Sequence, residues 1–537
     1  MFFCGFLSFS QNNNNTNITE SSGTISCPSA STAIGDSVIL GGDRVYVVGD
    51  TELDDVISSG SFTAFSTTFT PADLSCVCTT RLTNMVNLFK DNTTFNDDIG
   101  KWDTSNVTTM FGMFIRARNF NQNIDDWDTG KVENMGKVFQ DALDFNNGQS
   151  TGVSTTLSWD TGKVVSFQEM FANAQSFNQN IGGWDTSDAE NMIAMFLGAP
   201  VFNQNLSAWN TSKLERLDRT FRNARNFNNG ASSGVSTTLS WDTSKVEQMD
   251  ETFSNAEKFN ANLSGWDTGE VLDMRSMFRD ADVFNNGASS GVSTTLNWDT
   301  SSVIQMQYMF SDADAFNGNL SNWDTSAVGN IEKMFWKAYV FNNGASSGVS
   351  TTLNWNTSSV TTMESTFNRA PLFNGNLSNW NTSNVTRMDN MFDNALVFNN
   401  GSSSGVSPTL SWNVSKVENM NNMFANANRF NQNISSWNTV STTLMIGMFQ
   451  GADVFNIDIG DWDVSNVTRM ENMFKNALAF NQDLTCWDVN PAPTNYSNFS
   501  TNSPINGVPL FLPRWGDTNT PFINYTASTA QQDDGLI

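Results

Sequence analysis

Fifteen tryptophans, from Trp102 to Trp487, follow one another at intervals of either 25 or 32 residues and at no other spacing. Such a chain is one short unit written repeatedly. A unit of that size cannot bury its own apolar face, so it must stack on copies of itself, and stability then comes from contacts between neighbouring units. The product is a long, regular surface, and function has to be sought on it.

Aligned on tryptophan, the units share the consensus Phe-Asn-Gln-Asn-Ile/Leu-x-x-Trp-Asp/Asn-Thr-Ser-x-Val-x-x-Met-x-x-Met-Phe-x-x-Ala, of which residues 177–199 are an example. From Ile181 to Thr186 small polar and β-branched residues surround one large ring, which predicts a short strand. Met192, Met195, Phe196 and Ala199 recur at three and four, which predicts a helix. Ser or Thr behind the Trp-Asp pair stands where an N-cap belongs, with capping-box spacing at Ser244/Glu247 and Ser415/Glu418. Each coil is therefore expected to be a strand followed by a helix that ends at Phe-Asn, an α/β repeat. Two phenylalanine series, Phe89 to Phe474 and, six residues later, Phe95 to Phe480, form the expected spine of the core. With a leading coil in which Val77 holds the tryptophan position, about sixteen coils stacked at roughly 4.8 Å give a core about 75 Å long.

The 25-residue pattern, with its Met-Phe-x-x-Ala-x-x-Phe-Asn and Trp-Asp-Thr-Ser-x-Val signatures, resembles the BspA-type leucine-rich-repeat surface proteins, a group abundant in mycoplasma lipoproteins and microbial eukaryotes. The resemblance covers residues 74 to about 499. It implies a right-handed leucine-rich-repeat-like solenoid at a cell surface, in adhesion or in an unassigned role, and supplies no catalytic residues. The chain departs from the plain form by inserting seven residues in alternate coils.

The chain contains no histidine, which removes Ser-His, Cys-His and His-ligated metal arrangements. No Gly-x-Gly-x-x-Gly, phosphate-loop lysine or EF-hand string occurs, and adjacent carboxylates such as Asp97/Asp98 and Asp125/Asp126 belong to a polar turn. An enzyme is not expected, nor a cofactor. The net charge of −27 repels nucleic acid and anionic membranes. The Asp or Asn behind each tryptophan (Asp103, Asp128, Asp160, Asp185, Asn210, Asp242, Asp267, Asp299 and onward) is expected to form a row. Hydrogen bonding and capping are its plainer use and calcium binding its sharper one, while Asn at 210, 356, 381, 413 and 438 dilutes the like charges.

Nineteen Asn-x-Ser/Thr sequons occur, Asn106 and Asn466 among them, and five are regularly placed. Asn205, Asn262, Asn319, Asn376 and Asn433 lie in the Phe-Asn-x-Asn-Leu/Ile-Ser turn, 57 residues apart, which is one short coil plus one long one. Intervening coils carry the insert instead, Asn-Gly-Ala-Ser-Ser-Gly-Val-Ser-Thr-Thr-Leu at 229, 286 and 343. One edge is thus expected to alternate an N-linked glycan with a projecting Gly/Ser loop.

Residues 1–23 read as a signal remnant or linker, 24–73 as a small β cap around Val45-Tyr46-Val47-Val48, 74–499 as the solenoid and 500–537 as an extended proline-rich tail. No stretch is suited to membrane insertion. In a sequon-dense chain Cys27, Cys76, Cys78 and Cys486 read as secreted-type disulfide candidates. Cys76 precedes Val77 as Cys486 precedes Trp487, so two arrangements stand: a Cys76–Cys486 bridge between copies, or Cys27 paired with Cys76 or Cys78 inside the cap. These features point to a non-enzymatic, secreted or cell-surface structural glycoprotein that assembles with itself into a filament, hair or sheath. An adhesion module binding a protein or glycan is the alternative, and ice binding through Thr129, Thr161 and Thr186 is a third use.

Overall fold

A computed structural model describes residues 78–515 except Gly234, Gly348, Gly405, Val406, Asn490 and Pro491, together with short backbone segments nearer the N-terminus. Sixteen rungs, from Asn84 through Thr109 and Asn134 to Arg469 and Asn495, are joined one to the next by parallel bridges, each partner one repeat further along the chain. The repeats therefore stack in sequence order and in constant register.

The segment expected to be helical is not a helix, and none occurs among the described residues of 79–515. In one rung the N–H groups of Phe167, Glu169, Phe171 and Asn173 donate to the carbonyls of Asn191, Ile193, Met195 and Leu197 in the next coil. The alternate N–H groups of Met170, Ala172 and Ala174 turn back on Phe167, Glu169 and Phe171. Glu169 and Asn173 hold φ of 53° and 58°, and a left-handed pair four residues apart recurs rung after rung, as at Asn87/Asp91, Gly447/Gly451 and Asn472/Asn476. A right-handed helix cannot carry a left-handed residue every fourth position. A run of tight turns can, and it returns apolar side chains inward at the same intervals of three and four that a helix would.

The expected strand is displaced as well. Around tryptophan the backbone is a turn, Trp184 N–H donating to Ile181 O at 3.1 Å. The short strands lie on the insert edge, where Thr237–Thr238 pairs in parallel with Ala261–Asn262, Thr294–Thr295 with Gly318–Asn319 and Thr351–Thr352 with Gly375–Asn376.

Aromatic columns fill the interior. Neighbouring indoles stack nearly parallel with centroids between 5.8 Å (Trp355–Trp380) and 6.5 Å (Trp266–Trp298). The two phenylalanines of one coil lie face to face, 3.7 Å apart at Phe139–Phe145, and each series continues to the next coil, 5.5 Å at Phe139–Phe171. Buried indole needs a partner for its one polar atom. Each Nε1–H donates to a backbone carbonyl of the preceding coil, Trp127 to Ile99 at 3.1 Å and Trp266 to Leu239 at 2.8 Å.

Both ends are covered. Ser37–Leu40 pairs antiparallel with Asp43–Val47, which pairs in parallel with Val77–Cys78 and carries the stack into a small sheet. At the other end residues 494–502 make one more rung, Met470, Asn472, Phe474 and Asn476 donating to Asn495, Ser497, Phe499 and Thr501. Phe499 stands edge-on to Phe474 at 80° and so terminates the parallel ring column. Residues 503–511 continue as turns, and Phe511 O accepts from Leu484 N at 3.0 Å. The extended tail expected from residue 500 is thus a capping segment as far as 515, while residues 516–537 lie outside the described residues.

Candidate functional site

The insert and sequon edge rests on a polar column that sequence reasoning missed. The Asn behind the second phenylalanine accepts, through Oδ1, the backbone N–H of the equivalent Asn one coil later. The series runs unbroken from Asn96–Asn121 to Asn456–Asn481, with Asn146–Asn178 at 2.9 Å and Asn260–Asn285 at 2.8 Å as interior members. The invariance of Asn after Phe in the consensus was the available signal.

Above this column the five regular sequons share one geometry. Oδ1 of Asn205, Asn262, Asn319, Asn376 and Asn433 accepts the N–H of the Ser two residues on, at 2.9–3.1 Å. Their Nδ2 groups have no hydrogen-bond partner among the described residues, whereas Asn106 and Asn466 donate theirs to Thr80 O and Val440 O, each at 2.8 Å. Asn205 and Asn319 are exposed and the other three half-buried.

Each insert is locked to this edge. Asn229, Asn286, Asn343 and Asn400 donate Nδ2–H to the sequon hydroxyls of Ser207, Ser264, Ser321 and Ser378 in the coil before. The same asparagines accept, on Oδ1, the N–H of Leu206, Leu263, Leu320 and Leu377. Asn286 and Gly287 both have positive φ, 49° and 82°, the Asn-Gly signature of a tight turn. A Cβ at Gly287 would sit 3.2 Å from Asn262 Cβ, so the turn approaches the sequon as closely as backbone alone allows. At the insert tips Val153, Val235, Val292 and Val349 are 45–52% exposed, an apolar row among serines and threonines.

The residues behind tryptophan close local turns. Asp128, Asp160 and Asp185 each accept, on Oδ1, the N–H two residues on. The Ser187 N–H and hydroxyl hold Asp185 below the ordinary carboxylate value, and Ser244 does the same for Asp242. Among the described residues no three of His, Cys, Asp and Glu are grouped to hold a metal. Thr129, Thr161 and Thr186 are buried and donate their hydroxyls to Asp160 O, Asp185 O and Asn210 O at 2.8–2.9 Å. That row lies inside the stack and cannot face ice.

The turn face carries ion pairs between coils, Lys137–Glu169 and Arg219–Glu251 both at 3.3 Å. Asp282 lies near Asp314, Glu257, Asp280 and Asp312, and burial followed by these charges pushes its pKa to about 6. Of the cysteines, Cys78 is disulfide-bonded and Cys486 is free and exposed, while Cys27 and Cys76 lie outside the described residues. No helix among the described residues is long and apolar enough to cross a membrane.

Six overlapping stretches, residues 59–156, 148–239, 229–297, 292–352, 343–406 and 403–509, match the family described as "Mycoplasma protein of unknown function, DUF285". No curated protein matches the chain. The solved structure titled "Crystal structure of TLR13-ssRNA13 complex" is similar at 8% identity over 80% of this chain and 85% of that chain, with a TM-score of 0.15.

Proposed function

This chain belongs to the DUF285 family, and from that premise we propose that it is a non-enzymatic extracellular structural glycoprotein, a right-handed BspA-type solenoid that associates with its own copies into a surface filament, hair or sheath. One observation carries the reading. The buried polar groups that the repeat keeps, indole N–H, threonine hydroxyl and asparagine amide, are spent on the neighbouring coil. Such a chain invests its chemistry in extending a stack and leaves none of these groups for turnover.

The glycan part rests on the free Nδ2 groups of Asn205, Asn262, Asn319, Asn376 and Asn433 at two-coil intervals of roughly 9.6 Å. Glycopeptide mass spectrometry of native protein should find sugar there at higher occupancy than at Asn106 and Asn466, whose amides are engaged. Bare asparagine at all five positions would remove the glycoprotein reading and weaken that of secretion. Self-association is tested by sedimentation of the purified full chain: assemblies that grow with concentration support it, and a monomer throughout removes it.

Adhesion keeps one observation of its own, the exposed valine row at the insert tips. If the edge recognises a protein or glycan, replacing Val235, Val292 and Val349 with Ser abolishes attachment of the chain to a surface and leaves sedimentation unchanged.

A further inference from the structure

We propose that Asn506, followed by Gly507 in the C-terminal cap, is a site of spontaneous covalent modification in the folded chain, where the asparagine converts through a succinimide to aspartate and isoaspartate. The chemistry is open to any Asn-Gly pair, because glycine has no Cβ to shield its amide nitrogen. The Gly507 nitrogen bonds to Cγ of Asn506, the Cγ–Nδ2 bond breaks, and the Gly507 amide proton leaves with the amine as ammonia. Water then opens the ring at either carbonyl, giving aspartate or, with one extra carbon in the backbone, isoaspartate. Water is the only co-reactant. The chain has eight Asn-Gly pairs, and the fold treats one of them differently from the other seven.

Five of the seven open the inserts, and all five asparagines are buried. Oδ1 of Asn147 accepts the N–H of Ile124 at 2.9 Å, as Asn229, Asn286, Asn343 and Asn400 each accept that of a leucine, so the side-chain amide cannot swing toward its own backbone. The attacking nitrogen is held as well: Gly148, Gly230, Gly287, Gly344 and Gly401 donate their N–H groups to the asparagine column at 2.9–3.1 Å. Asn317 and Asn374 belong to the column itself. Oδ1 of each accepts two backbone N–H groups, and Gly318 and Gly375 lie in parallel strand pairs. Ring closure at any of the seven must first break bonds to a neighbouring coil. Asn506 and Gly507 are exposed instead. Nδ2 of Asn506 and the N–H of Gly507 have no partner among the described residues, and Oδ1 receives only the Ser500 hydroxyl at 3.5 Å. Gly507 holds a φ of 71° with open space beside its Cα. The extra backbone carbon falls between Ile505, which is buried, and Phe511, whose carbonyl accepts from Leu484, so the modification acts on the segment that covers the last rung.

The test incubates the full chain at mildly alkaline pH, folded in one sample and unfolded in urea in another, and follows all eight pairs by peptide mapping. In the folded chain Asn506 should convert to mixed aspartate and isoaspartate about tenfold faster, or more, than any of the seven, the slowing expected where two or more hydrogen bonds must open first. In urea the eight should convert at comparable rates. Gly507→Ala, whose Cβ shields the attacking nitrogen, should slow Asn506 and leave the seven unchanged, and their persistence in the same sample reports that the stack stayed folded. Conversion of the insert pairs as fast as Asn506 in the folded chain overturns the protection. Asn506 left intact in the folded chain while it converts in urea overturns the site, and aspartate formed there without isoaspartate overturns the succinimide.

Discussion

Asn285 shows how much one polar side chain can carry in this fold. Its Oδ1 accepts from Asn317 N–H, its Nδ2 donates to Ser289 O and Val292 O, and its own N–H goes to Asn260. Asn285→Ala orphans buried groups in its own coil and in the next, and should lower stability by about 1–3 kcal/mol per unsatisfied group. Asn285→Asp keeps the acceptor but turns a buried carboxylate toward the carbonyls of Ser289 and Val292, and should cost at least as much at neutral pH; thermal unfolding of the two variants checks the order. Asp282 makes the opposite case. Its folded-state pKa of about 6 lies above the unfolded 3.8, so the cost of ionising it is absent below about pH 4, grows as pH rises and is complete above about 6. Asp282→Asn should raise the melting temperature at pH 7.5 and make no difference at pH 4. The buried residues were legible in the sequence because tryptophan and phenylalanine keep fixed phase. The asparagine column was not, because an asparagine in a polar turn reads as solvated until its neighbour one coil away is known.

At the scale of the element, spacing misled and residue type held the correction. Intervals of three and four fit both a helix and a chain of turns, and only the left-handed sites distinguish them. Asn, Asp and Gly fill most of those sites, as at Asn390/Asn394, Asn422/Asn426 and Gly447/Gly451. Gly447→Ala separates the two architectures. In a helix it would stabilise by about 1 kcal/mol. Here φ is 59° and the new Cβ would run into the Asn422 side chain, so it should destabilise by roughly 1–2 kcal/mol. Far-UV circular dichroism should correspondingly lack a helical signature. The inserts were correctly seen as edge features, but their pairing with the sequon turn of the following coil depends on register, which no single repeat displays.

For the whole molecule, repetition fixes the interior and polarity fixes the ends. Sixteen rungs with one bonding direction make a stack whose two faces differ, acceptors at one and donors at the other. The stacking of repeats was readable from the tryptophan spacing, and the C-terminal cap was not, because residues 494–515 abandon the consensus while still supplying a rung. Electron microscopy of native material tests self-assembly most directly. Filaments, hairs or sheaths built from copies of this chain are the expected result. Dispersed single particles at every concentration, with no end-to-end contacts, would contradict it.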